Sequence, residues 1–67
     1  MCLSTVYYVD DTEQDNPIAS NVTEIHSEDG HLFFAELFGD DVEVDGSIEH
    51  VDLIKNYILV RKPVAAV

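Results

Sequence analysis

Apolar and polar positions alternate along most of this chain, and the alternation is interrupted by short clusters rich in Asp, Asn and Gly. A period of two puts successive side chains on opposite faces, as in a strand rather than a helix. Residues 2–9 (CLSTVYYV) predict the first strand, because Val, Thr and Tyr suit a pleated, half-buried surface. The polar, turn-rich DDTEQDNP that follows reads as a loop. Residues 18–27 resume the strand pattern, with Val22 and Ile25 the expected buried positions. Their spacing violates strict alternation, so a bulge or kink is expected at Thr23 and Glu24. Glu28-Asp29-Gly30 predicts a tight turn, and residues 31–37 (HLFFAEL) a strand too short to stand as an isolated helix. A further turn is expected at Phe38-Gly39-Asp40. The run DVEVD has one wet face, Asp45-Gly46 marks another tight turn, and residues 47–53 carry Ile48, Val51 and Leu53. Lys55-Asn56 turns into a last strand, residues 57–62 (YILVRK), and Pro63 ends ladder pairing.

Five or six strands at roughly ten-residue spacing predict an all-β fold, a small antiparallel barrel or sandwich. The expected organisation is one domain over residues 1–62 and a C-terminal tail over 63–67.

Length then matters. A chain of 67 residues buries only about 60% of its unfolded surface, which leaves a lone domain marginal. Such domains are reinforced by disulfides, a metal or a partner chain. Cys2 is the single cysteine, so an internal disulfide is excluded and a homodimer, a metal or both are expected. The net charge of −11 repels phosphate, which makes nucleic-acid binding unfavourable. No run approaches the ~20 apolar residues of a membrane helix. With no secretory pattern and one free thiol, a cytoplasmic protein is expected.

Candidate chemistry is sparse. Asp41, Glu43, Asp45, Gly46 and Asp52 imitate the offsets of a calcium loop, but the valines between them alternate as a strand and no helices flank them. His26, His31 and His50 show no zinc spacing; His26 and His31 are placed to face one another across the Asp29-Gly30 hairpin. No phosphate loop or serine elbow is present, and a domain this small has little room for a substrate pocket, so no enzyme is expected. Cys2 is the informative residue. Its sulfur and the nearby backbone amine or amide nitrogens form five-membered chelate rings, a mixed donor set suited to Ni(II) or Cu(II). One chain end offers two or three donors, and two ends meeting at a twofold axis offer four. The alternative is a cysteine that merely fills space as a small buried hydrophobe.

The opening Met1-Cys2-Leu3-Ser4-Thr5-Val6-Tyr7, the central Leu37-Phe38-Gly39-Asp40-Asp41 and Val42-Glu43-Val44-Asp45-Gly46, and the closing Val51-Asp52-Leu53 with Asn56-Tyr57-Ile58-Leu59-Val60 resemble the CooT-like proteins. These are small homodimeric nickel-binding accessory proteins of carbon monoxide dehydrogenase maturation. The resemblance runs from Met1 to about Arg61. It implies Ni(II) held at Cys2, shared by two protomers, and a nickel-enzyme maturation system as partner. Two alternatives stand beside it: an acidic protein-interaction module without metal, and a small RNA-binding barrel, a label some members of the family have carried.

Overall fold

A computed structural model describes residues 3–10 and 16–64. Its strands are β1 Ser4–Tyr8, β2 Ala19–Glu28, β3 His31–Glu36, β4 Val42–Asp45, β5 Ser47–Asp52 and β6 Tyr57–Arg61, and among the described residues no helix occurs. All six lie in one sheet of order β4-β3-β2-β1-β6-β5. The all-β expectation holds. Two of its details change: the ladder is not closed, and β1 runs parallel to β6, pairing Val6 with Ile58 and Tyr8 with Val60. The first and last of these strands in sequence therefore lie side by side within the sheet.

Parity explains the core. Val6 of β1, Val22 of β2, Leu32 and Phe34 of β3, and Ile58 and Val60 of β6 point to one face and are buried with Ala19. Tyr8, Ile18, Val42 and Val44 close over them. Among the described residues no polar side chain is buried, so the core is held by apolar burial alone.

The irregularity expected near Thr23 is present. The β2–β3 register shifts between Val22, opposite Glu36, and Glu24, opposite Ala35. One extra residue lets Val22 and Ile25 share a face although they are three apart. Asn21, at φ 53°, starts the distortion, and Leu37 donates its N–H to the Asn21 carbonyl at 2.9 Å. The hairpin turn has Asp29 at φ 51° and Gly30 at φ 79°, the two left-handed positions of a primed turn.

Asp45-Gly46 is a different device from the hairpin turn its residues suggest. β4 pairs only with β3 and β5 only with β6, so Gly46 is a corner at which one continuous edge passes from one end of the sheet to the other. Gly46 sits at φ 145° and donates its N–H to the Gly30 carbonyl at 3.0 Å. A side chain there would fall on the Arg61 carbonyl oxygen and lie 3.3 Å from Val60 Cγ1. Glycine is thus the residue that lets β4 and β5 fold the open sheet toward a barrel.

Ile25 was expected inside. It faces the core side of the sheet yet remains 41% exposed; it lies beyond the described β1–β2 pairing, which begins at Ser4 opposite Val22.

Candidate functional site

Cys2 lies outside the described residues, so the site is built from what surrounds the start of β1. Ser4 pairs with Val22 of β2, and Thr5 pairs with Tyr57 of β6 and donates its N–H to the Asn56 carbonyl at 3.0 Å. The amino end of the described chain is thereby gripped from both sides. Asn56 reaches this position at φ 59°, closing the β5–β6 turn, and its Oδ1 is buried with no hydrogen-bond partner among the described residues. Asp52 braces the same turn, accepting N–H bonds from Lys55 at 2.7 Å and Ile54 at 3.0 Å. Those two bonds, the Lys55 one foremost, hold the Asp52 carboxyl below its ordinary range.

Beside Ser4 a cavity of about 200 Å³ opens on the core-facing side of the sheet. Val22, Ile25, Val51, Leu53 and Ile58 give it apolar walls, and Thr23 and Glu24 form its rim. Leu53 and Ile54 beside it are 75% and 92% exposed. An apolar hollow at the start of the first strand is the chief surface feature near the amino end.

The histidines do not converge. His26 pairs across the hairpin with Phe33, not with His31, and its Nε2 contacts Glu28 at 3.3 Å. His31 Nδ1 contacts the Asp45 carboxylate, with Glu43 at 3.8 Å. His50 lies against the Tyr57 ring, centroids 5.6 Å apart. Asp41 precedes β4, while Glu43, Asp45 and Asp52 lie on strands, so the resemblance to a calcium loop is one of spacing only. Among the described residues no three His, Cys, Asp or Glu side chains are grouped to hold a metal ion. Cys2 carries the one thiol of the sequence.

The bases are equally informative. Arg61 forms a two-pronged bridge to Glu49, at 2.7 Å from Nε and 2.6 Å from Nη2. The Arg61 hydrogen bonds hold the Glu49 carboxyl below its ordinary value, and Glu49 in turn raises Arg61. Lys62 stands 4.7 Å over the Tyr8 ring. Lys55 is the remaining base, so no basic surface exists for a phosphate backbone to follow. No helix long and apolar enough to cross a membrane occurs among the described residues.

Sequence reasoning singled out Cys2 but missed the Asn56 oxygen and the exposed half of β2. The Lys55-Asn56 turn was visible, but that its backbone carbonyl would accept the Thr5 N–H depends on the parallel β1–β6 pairing, which leaves no local trace.

No curated protein and no solved structure shows a significant match to this chain. A family model does: CO dehydrogenase accessory protein CooT matches residues 1–61, which include the Met-Cys start, the β3–β4 loop and the final strand. The chain belongs to the CooT family of carbon monoxide dehydrogenase accessory proteins.

Proposed function

We propose that this protein is a cytoplasmic, homodimeric nickel carrier that serves a nickel enzyme, with Ni(II) as cargo held at Cys2 of both protomers. Carbon monoxide dehydrogenase is a nickel enzyme, which makes nickel the natural cargo of an accessory protein in this family. The observation that carries the reading is the distribution of donors. The carboxylates and imidazoles of the described residues are engaged pairwise or scattered, and no cluster of three competes with the chain end. Thiolate with amine or amide nitrogen is a donor set matched to Ni(II). Two such ends complete a four-donor site, which ties cargo binding to dimer formation. Accessory proteins need no catalytic pocket, in keeping with a cavity walled by apolar side chains.

Titration of the full chain with Ni(II), monitored for a sulfur-to-nickel charge-transfer band, tests the proposal. The wild type should saturate at one nickel per two chains. Cys2→Ala should lose the band and at least about 100-fold in affinity, since removing a first-row metal's thiolate donor costs far more than a second-shell change. Equal affinity in wild type and variant refutes nickel at Cys2.

A further inference from the structure

We infer that Asp29-Gly30, at the tip of the β2–β3 hairpin, is where this chain forms isoaspartate spontaneously, and that the fold shields the identical pair Asp45-Gly46. The inference stands apart from the nickel reading and does not depend on it.

The chemistry is intramolecular. The backbone nitrogen of the residue after an aspartate bonds to the aspartate Cγ. Its proton and the carboxyl hydroxyl leave together as water, and a five-membered succinimide remains. Water then opens the ring at one of its two carbonyls. Addition at Cγ breaks the Cγ–N bond and restores aspartate. Addition at the main-chain carbonyl breaks its C–N bond instead, so the chain now runs through Cβ and Cγ and is one carbon longer. A side chain on the following residue obstructs the attack, which makes glycine the permissive neighbour. Asp29 and Asp45 are the two Asp or Asn residues of the sequence that precede glycine, whereas Asn21 and Asn56 precede Val22 and Tyr57. The sequence thus leaves two equal candidates, and the structure separates them.

Asp45 is restrained at each group the ring needs. It lies in the β3–β4 ladder opposite His31, and its carboxylate is bound by His31 Nδ1. The Gly46 N–H donates to the Gly30 carbonyl at 3.0 Å. Ring closure swings the peptide between Asp45 and Gly46, which breaks that bond. Gly46 also has little room to follow, because even an added Cβ would fall on the Arg61 carbonyl oxygen and crowd Val60 Cγ1. Breaking one hydrogen bond slows the reaction about 10-fold, and holding the reacting atoms away from a near-attack geometry slows it further.

Asp29 meets none of these restraints among the described residues. Asp29 and Gly30 are exposed and lie beyond the last ladder pair, Glu28 with His31. Neither the Asp29 carboxylate nor the Gly30 N–H is hydrogen-bonded to a described residue, and a Cβ at Gly30 would meet nothing within 4 Å. The tip is free to turn the Gly30 nitrogen onto Cγ. The product matters to the fold. A main chain lengthened by one carbon no longer matches the tight turn between Glu28 and His31, and the Gly30 carbonyl it displaces is the acceptor for the Gly46 N–H. Ageing at the tip therefore loosens the corner between β4 and β5.

The experiment uses the full-length protein, incubated in mildly acidic buffer in two samples, one folded by circular dichroism and one unfolded in urea. Isoaspartate is counted by methyl transfer from S-adenosylmethionine, using a carboxyl methyltransferase selective for isoaspartate. Electron-transfer fragmentation of the digested chain locates it. In the folded sample isoaspartate should accumulate at position 29 at least about 10-fold faster than at position 45. In urea the two rates should converge, because both pairs are then free. No substituted chain is needed, so no variant's folding enters the comparison. Equal rates in the folded protein, faster ageing at 45, no product at 29, or a preference for 29 that persists unchanged in urea overturns the inference.

Discussion

Gly46 and Gly30 form a matched pair of substitutions that isolates the corner between β4 and β5. Both glycines have positive φ, 145° and 79°, and both lie at the ends of strands. Their surroundings differ. A Cβ at Gly30 meets nothing within 4 Å, so Gly30→Ala carries only left-handed strain, about 1–2 kcal/mol. A Cβ at Gly46 strikes the Arg61 carbonyl oxygen, part of a strand and not the tip of a flexible side chain, and crowds Val60 Cγ1 at 3.3 Å. Backbone strain of about 1–3 kcal/mol then adds to overpacking of about 1–3 kcal/mol, so Gly46→Ala should cost about 2–6 kcal/mol, centred near ~4. A chain of 67 residues has a total stability of only about 3–10 kcal/mol, so the variant should be near unfolding in water. Urea titration followed by circular dichroism measures both changes. With a slope near ~1 kcal/mol/M, the central values put the midpoint of Gly46→Ala about 2–3 M below that of Gly30→Ala. Equal midpoints would refute the idea that contact between the corner and β6, and not turn geometry, makes glycine necessary at position 46.

The other predictions are briefer. Phe34→Ala removes a fully buried ring at the centre of the core and should cost about 3–5 kcal/mol, read as a lowered melting temperature, while Phe38→Ser should change it little because the ring is 81% exposed. Acid should loosen the β5–β6 end. Glu49 and Asp52 have folded values below their unfolded ones, so the stability they contribute is present above the ordinary carboxylate range and lost as pH falls through their lowered folded values. Proton-detected spectra on acidification should show the Ile54 and Lys55 amides and the Arg61 guanidinium shifting only below the ordinary carboxylate range, and shifts complete within that range would contradict the assignment.

Much of the architecture was legible because strands with one wet face print their period in the sequence. β3 and β6 fall where HLFFAEL and YILVRK predict them, and the β2 bulge follows from two apolar residues three apart. Partner choice was less legible. Asp-Gly looks the same locally whether it turns a hairpin or a corner, and only the pairing of β4 with β3 and of β5 with β6 separates the two. The parallel match of β1 to β6 joins segments with no sequence proximity, so no turn announces it. Ile25 shows the same limit from the other side. Its periodicity assigns it correctly to the apolar face, but burial depends on what lies opposite, and the described β1–β2 pairing begins only at Ser4, opposite Val22. At the candidate site, Cys2 stood out by donor chemistry, whereas the grip of Asn56 on Thr5 emerged only from the fold.

The central position of β1 also governs the order in which the molecule can be made. During synthesis β1 emerges before the other described strands, but one of its two neighbours, β6, is translated after them. Until residues 57–61 clear the ribosome, one side of β1 stays unpaired and Val6 lacks Ile58 beside it. Such long-range closure slows folding relative to hairpin-only topologies. β1 is therefore paired on both sides only after residues 57–61 have been made, so a product truncated before them lacks one of the two strands that fix it.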